Sequence, residues 1–65
     1  MQVHINHQPH ELPDDATLAD AIAKLPVRPP FAAAVNLQFV PRTAYAQHRL
    51  GDGDRIEIIA PITGG

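Results

Sequence analysis

The chain has 65 residues, of which 45% are hydrophobic, and its five basic and seven acidic residues give a net charge of −2. A chain of this length forms one small domain, which excludes a two-lobed catalytic cleft or a deep cofactor pocket. The acidic balance argues against nucleic-acid binding, and the lack of cysteine removes disulfides, thiolate metal sites and cysteine nucleophiles. Without a signal peptide pattern or an apolar run of membrane-spanning length, we expect a cytoplasmic protein with no membrane contact.

The first predicted element is a strand in which Val3 and Ile5 alternate with polar residues. This period-two pattern is typical of a strand with one buried face. Residues 6–9 predict a turn, and residues 10–13 predict a second short strand that completes a hairpin. Two prolines flank this second strand, which fits a position at the edge of a sheet.

A helix start follows at Thr17, whose hydroxyl can cap the helix while Asp20 supplies the acid of a capping box. The apolar positions that follow have helical spacing: Leu18, Ala21, Ile22 and Leu25. We therefore predict a short helix from Thr17 to Leu25, ended by Pro26 and packed against a sheet.

The second half of the chain predicts three more strands. After an extended proline-rich link, residues 32–35 and 39–40 predict two strands. Residues 43–48 predict a short irregular helix, and Leu50 is a predicted core residue. Residues 51–54 (Gly-Asp-Gly-Asp) predict a turn. In the last strand Ile56 and Ile58 point inward, and Ile59 is predicted to point to solvent.

The order of strand, strand, helix, strand, strand, strand predicts an α+β fold. A hairpin, a crossing helix and further strands in one sheet form a β-grasp arrangement, here a mixed sheet of four to five strands. We assign residues 1–60 to this domain and residues 61–65 to a flexible C-terminal tail that ends in Gly-Gly.

Two polar clusters and one arginine are candidate binding sites. His4, His7 and His10 recur every third residue, but in a hairpin this spacing places the rings on different faces or in the turn, so we predict no metal site. Residues 51–54 resemble part of a calcium loop without its downstream glutamate, and a plain turn is favoured. Arg42 is either a solvated side chain or an anchor for a partner's carboxylate.

The C-terminus carries the clearest candidate chemistry. Gly64 and Gly65 lack a Cβ, so the tail of residues 61–65, extended to roughly 17 Å, can thread a narrow channel in another protein. A terminal carboxylate is ionised at neutral pH and is a poor acyl electrophile until an ATP-dependent enzyme converts it to a mixed anhydride. The alternative is an ordinary frayed end.

Five segments together match a known pattern in order and spacing: Ala34-Val35-Asn36, Val40-Pro41-Arg42, Ala46-Gln47-His48, Asp52-Gly53-Asp54-Arg55-Ile56 and Gly64-Gly65. On these segments the whole chain resembles the ThiS family of sulfur carriers in thiamine biosynthesis. The resemblance implies a ubiquitin-like β-grasp fold and a carrier that acts as a co-substrate and not as an enzyme. Asn36-Leu37-Gln38 departs from the glycine that tight hairpins prefer, which leaves the shape of that loop open.

The resemblance also implies the partners. A ThiF-type adenylating enzyme would use ATP to form an acyl-adenylate at Gly65, with no cofactor held stably by the carrier. A persulfide derived from a cysteine desulfurase would convert the adenylate to a thiocarboxylate, and thiazole synthase (ThiG) would receive the sulfur. Ile62, Thr63, Gly64 and Gly65 would thread into these partners.

A partner surface is predicted at the start of the tail. Glu57 and Ile59 share the outward face of the last strand, Phe39 joins them, and Arg42 is the candidate charged anchor. Isolated exposed apolar residues are also common on ordinary surfaces.

Three alternatives stay open. One is the small subunit of molybdopterin synthase, although members of that family tend to be longer between positions that correspond to Val40 and Leu50. Another is a ubiquitin-like modifier joined to lysines through Gly65, which mixed-mass conjugates would reveal. The third is a binding module with an incidental Gly-Gly end, whose activity would survive removal of both glycines.

Overall fold

The structure, a computed structural model, describes residues 1–27 and 29–60. Five strands and one α-helix follow in the predicted order: β1 (Gln2–Ile5), β2 (Gln8–Glu11), α1 (Leu18–Ala23), β3 (Ala32–Val35), β4 (Gln38–Val40) and β5 (Arg55–Ile59). A 3₁₀ turn at Arg42–Ala44 lies in the connection between β4 and β5. The predicted irregular helix over 43–48 is therefore shorter and begins one residue earlier, and a turn follows it in which the His48 N–H donates to the Ala44 carbonyl at 2.9 Å.

The five strands form one mixed sheet in the order β2-β1-β5-β3-β4. The last strand in sequence is therefore the central one. It runs parallel to β1, with Ile5 opposite Ile56, and antiparallel to β3, with Val35 opposite Ile56. One hairpin lies on each side of the central strand β5, and the helix lies between the two hairpins in chain order. This confirms the predicted β-grasp arrangement.

The core lies between one face of the sheet and α1. The inward strand residues and the helix contribute apolar side chains that are at most 8% exposed: Val3, Ile5, Leu18, Ala21, Ala33, Val35, Val40, Ile56 and Ile58. Leu50 is also buried, as predicted, whereas Ile22 and Leu25 are only partly buried and pack against the edge of this cluster. The other face of the sheet carries no helix among the described residues and stays open.

The start of α1 is set by the predicted capping box. The Thr17 hydroxyl accepts a hydrogen bond from the Asp20 N–H at 3.3 Å, and the Asp20 carboxylate accepts one from the Thr17 N–H at 2.9 Å. The predicted end at Leu25 is wrong, because the helix ends at Ala23. The Lys24 and Leu25 N–H groups bond to carbonyls three residues back, which tightens the last turn before Pro26.

The first hairpin turn is shorter than predicted. Asn6 and His7 both adopt left-handed backbone conformations, with φ of 50° and 70°, as in a two-residue type I′ turn. The second strand therefore begins at Gln8 and not at His10, and it includes Pro9. This proline is tolerated because β2 is an edge strand, so its missing N–H removes no bond from the interior of the sheet.

The second hairpin uses the same turn without a glycine. Asn36 and Leu37 have φ of 52° and 70°, and β4 begins directly afterwards at Gln38, one residue before the predicted start. Asparagine is among the few residues that adopt left-handed conformations readily, which settles the loop shape that the sequence left open.

The Gly51–Asp54 segment is a turn, as predicted. The Asp54 carboxylate accepts bonds from the Gly51 N–H at 2.7 Å and from the Asn36 side-chain amide at 3.1 Å. The Asp52 carboxylate accepts a bond from the Gln2 N–H at 2.8 Å, and Gly53 has a φ of 86°. Because both carboxylates are engaged by neighbouring donors, this segment connects the sheet and does not form an open calcium loop.

The amino group of Met1 is held by the first loop. It donates to the Leu12 carbonyl at 2.7 Å and to the Asp14 carboxylate at 3.1 Å, and it lies 3.3 Å from the Glu11 carboxylate. The hydrogen bond to Asp14 is the main cause that raises the pKa of this amine above its ordinary value of 8.0. No helix in the described part of the chain is long and apolar enough to cross a membrane.

Candidate functional site

The open face of the sheet is the candidate binding surface. Strand side chains alternate between its two faces, so every second residue points away from α1. We call this surface the outer sheet face and define it by seven residues: His4, Ala32, Ala34, Phe39, Arg55, Glu57 and Ile59.

Three large hydrophobic side chains are exposed on or beside this face. Leu37 is 86% exposed, Phe39 is 69% exposed and Ile59 is 59% exposed, as predicted for Ile59. We call these three residues the apolar patch. Phe39 lies opposite Ala34 and Ile59 lies opposite Ala32, so each of these large side chains has a small residue of β3 as its neighbour. Exposed apolar groups of this kind mark interaction surfaces when they are adjacent.

Glu57 lies in the same row as Phe39. The register places Phe39 opposite Ala34 and Ala34 opposite Glu57, so β3 lies between the strand of the carboxylate and the strand of the phenylalanine. Glu57 is partly buried, and the described residues include no ion pair that involves it. The structure thus brings Phe39, Glu57 and Ile59 to one face, while their role in binding stays a prediction.

Arg42 lies outside the sheet. It begins the 3₁₀ turn two residues after β4 ends, and its side chain is exposed. It makes no ion pair with any residue in the ranges 1–27 and 29–60. Its position leaves both sequence interpretations open, a solvated side chain or an anchor beside the outer sheet face.

The tail begins directly after the central strand. β5 ends at Ile59, and Ala60 is the last described residue. The predicted threading residues Ile62, Thr63 and Gly64 and the predicted modified residue Gly65 lie outside the described residues. At this end β5 is paired with β3 as far as Ile59, opposite Ala32, whereas its pairing with β1 stops at Ile56.

Asn6 holds the end of β5 in place. Its side-chain oxygen accepts a bond from the Ile58 N–H at 3.0 Å, and its side-chain amide donates to the Ile58 carbonyl at 3.4 Å. This side chain therefore replaces the strand partner that β1 no longer supplies after Ile5. The sequence places Asn6 only in a turn, and no local signal indicates its bonds to Ile58.

A groove crosses β5 between the two hairpin turns. It has a volume of about 720 Å³, and we call it the β5 groove; it is lined by His4, His7, Asn36, Leu37, Arg55, Ile56 and Glu57. Leu37 belongs both to this groove and to the apolar patch. The sequence predicts neither the groove nor the place of Leu37 in it, because both depend on how the two turns are placed on either side of β5.

The histidines do not form a metal centre with neighbouring residues. His4 lies on the outer sheet face, His7 lies in the turn, and His10 is opposite Val3 and so points to the other face. Within the described ranges, no group of three or more histidine, cysteine or acidic side chains is placed to hold a metal ion. The predicted division of the rings between faces and turn is confirmed.

Comparison with known proteins adds a family to this geometry. Residues 3–65 match the sequence profile of the ThiS family. The chain is 38% identical over 66 aligned positions to the sulfur carrier protein ThiS of Escherichia coli (strain K12), and the alignment covers 100% of both chains. A second similarity, 53% over 30 residues, is to a thiazole synthase of Paramagnetospirillum magneticum (strain ATCC 700264 / AMB-1) and covers 46% of this chain and 9% of that protein.

A solved structure confirms the fold. The crystal structure of the thiamine biosynthesis protein ThiS from Geobacter metallireducens matches with a TM-score of 0.80 over 100% of both chains at 20% sequence identity. The sheet with its central last strand, the match over residues 3–65 and the full-length similarity to a curated sulfur carrier agree with one another. This chain belongs to the ThiS family.

Proposed function

We propose that this protein is a sulfur carrier of thiamine biosynthesis that acts as a co-substrate and catalyses no reaction itself. The observation that carries this proposal is the family match, which runs from Val3 through Gly65 and so includes the whole tail. The full-length similarity to a sulfur carrier gives it further support. A domain this small, with an open sheet face next to its tail, is suited to being held by larger enzymes.

The proposed chemistry takes place at the Gly65 carboxylate. This group is ionised near neutral pH and resists nucleophilic attack, so it must first be activated. An adenylating enzyme of the ThiF type would join it to the α-phosphate of ATP and release pyrophosphate. Sulfide would then displace AMP and leave a thiocarboxylate that thiazole synthase uses. A persulfide from a cysteine desulfurase would instead displace AMP to form an acyl disulfide, and a second thiol would cleave its S–S bond, leaving the thiocarboxylate and a new disulfide between the two thiols.

The proposed docking surface is the outer sheet face together with the apolar patch, whose residues Leu37 and Ile59 lie at opposite ends of β3. Ile59 is the last strand residue before the tail, so a partner that covers it also receives the residues that follow. Arg42, at the end of β4, is the proposed rim anchor. Similarity between part of this chain and a segment of a thiazole synthase supports that enzyme as one partner.

The test is the mass of the intact chain after incubation with ATP, sulfide and a ThiF-type enzyme. We expect a gain equal to the replacement of one oxygen by sulfur. A matched variant that lacks Gly64 and Gly65 should gain nothing, and omission of ATP should also abolish the gain. An unchanged mass in the complete reaction, with a control carrier loaded by the same enzyme, would contradict the proposal.

The same reaction separates the alternatives. A protein modifier would appear as conjugates of mixed mass on a denaturing gel. A molybdopterin-type carrier would form a stable complex with a large synthase subunit other than thiazole synthase. The short connection from Val40 to Leu50 and the family match both favour the ThiS function.

A further inference from the structure

The β5 groove holds polar groups that have no partner in the described chain. The His4 Nδ1 atom is buried and makes no hydrogen bond there. Arg55 and Glu57 line the same groove, and neither takes part in an ion pair among the described residues. Buried polar atoms are nearly always paired, so a group of this kind needs an explanation. A ligand in the groove can reach Arg55 and Glu57, whereas the His4 Nδ1 atom is closed to solvent and to such a ligand.

The composition of the lining restricts what that ligand can be. Arg55 and Glu57 carry opposite charges and are two residues apart on one face of β5, so a charged occupant meets a like charge. Leu37 and the two imidazole rings of His4 and His7 provide an apolar surface between them. A neutral group with an apolar body and one polar tip fits this lining better than an acid, a base or a purely aliphatic group.

A partner that covers the outer sheet face would have to supply a hydrogen-bond donor to Glu57. Glu57 is already partly buried, and a partner seated on the apolar patch would remove more of its water. A carboxylate that loses water must gain a hydrogen-bond donor or be destabilised. Arg55 is exposed at the edge of the groove, so its guanidinium can reach the face of an aromatic ring while it keeps contact with solvent.

We propose that the β5 groove is a subsite for one aromatic side chain with a hydrogen-bond donor, tyrosine or tryptophan, from the protein that docks on the outer sheet face. The donor binds the Glu57 carboxylate, the ring packs against Leu37, and Arg55 contacts the ring. Tyrosine and tryptophan are enriched among the residues that dominate interface energies. The inference rests on the proposed carrier function, because it requires a protein partner on this face.

The location of the groove on β5 suits a contact that orients the tail. Glu57 precedes Ile59 by two residues, about 7 Å along the strand, so the subsite is next to the start of the tail. A partner that holds both the apolar patch and the groove has two separated points of contact on β5. Two such points fix the direction in which the tail leaves the domain, which one apolar contact cannot do.

Small aromatic probes test the subsite on the intact chain. We would titrate 4-methylphenol, 4-methylanisole and 4-methylbenzylamine into ¹⁵N-labelled protein and follow amide shifts. We expect 4-methylphenol to shift the amides of His7, Leu37 and residues 55–57, and 4-methylanisole, which has no donor, to bind about tenfold more weakly. The cationic amine should also bind more weakly than the phenol. Equal binding of phenol and anisole, or shifts outside the groove, would overturn the proposal.

Glu57→Met is the matched variant, because it keeps the length of the side chain and removes both oxygens that accept the bond. We expect it to lower the affinity for 4-methylphenol to that for 4-methylanisole, with an otherwise unchanged amide spectrum. Asp15→Asn removes a charge from the exposed loop before α1 and should leave probe binding as in the wild type. Unaltered phenol binding by Glu57→Met would also refute the subsite. A chain that gains sulfur but binds no phenol keeps the carrier function and loses only this inference.

Discussion

Replacement of Ile59 by aspartate tests whether the apolar patch is the docking surface. Full burial of an isoleucine contributes about 1.5–3 kcal/mol. Because 59% of Ile59 is exposed in the free chain, a partner that covers it completely would gain about 1–2 kcal/mol from this residue. Loss of that gain weakens binding about 5–30-fold, and burial of the new carboxylate adds to the loss.

The fold should tolerate this change. Ile59 lies outside the buried cluster, and its neighbour on β3 is the small residue Ala32. Aspartate is a poor strand residue, and the range of strand preferences spans about 1 kcal/mol. We therefore expect urea unfolding to show a decrease in stability of less than about 1 kcal/mol, while the core stays intact.

The assay is titration calorimetry of the variant against the adenylating enzyme and, separately, against thiazole synthase. Gln47→Asp introduces the same charge at an exposed position outside the sheet and should bind as the wild type does. Ile59→Ser provides a second variant without a charge, with an expected loss that reflects the apolar contact alone. Wild-type affinity of a folded Ile59→Asp variant for both enzymes would refute the proposed role of the patch.

Three further predictions concern the fold. Leu18→Ala removes a fully buried side chain and should lower the free energy of unfolding by about 2–5 kcal/mol in urea titrations; a loss below 1 kcal/mol would show that the helix does not complete the core. Thr17→Ala should cost about 1 kcal/mol in the same assay, and Thr17→Ser should restore most of it, because the hydroxyl accepts the capping bond from Asp20; equal stability of both variants would contradict a capping role. The amine of Met1 has a pKa raised above 8.0, chiefly by Asp14, so its stabilising contribution is present below pH 8 and is lost as the pH rises through the folded-state value. Unfolding midpoints measured from pH 7 to pH 10 should therefore fall more for the free amine than for the N-acetylated chain, and parallel curves would show that the amine contributes nothing.

The turns explain why part of the candidate site could not be predicted. Asn6 was correctly placed in a turn, but its bonds to Ile58 join residues that are 52 positions apart. Nothing in the local sequence around either residue reports that contact. Leu37 was likewise placed in a loop, and only its left-handed conformation and the position of β3 beside β5 bring it to the outer sheet face.

The sequence by itself determined the features that depend on neighbours along the chain. Thr17 and Asp20 define a helix start through bonds within one turn, and the Gly51–Asp54 turn depends on backbone conformations available to glycine and aspartate. The alternation of Ile56 and Ile58 defined the buried face of β5 and, with it, the outward position of Ile59. The two terminal glycines and the segments shared with the ThiS family predict chemistry at Gly65, which lies outside the described residues.

The tertiary structure decided which strands are neighbours. That β5 lies between β1 and β3 is a result of long-range backbone pairing, and several pairings of five short strands satisfy the same alternation of residues. This central position places the two hairpin turns on either side of Arg55 and Glu57. The β5 groove exists for that reason alone, because it is formed by residues from three separate parts of the chain.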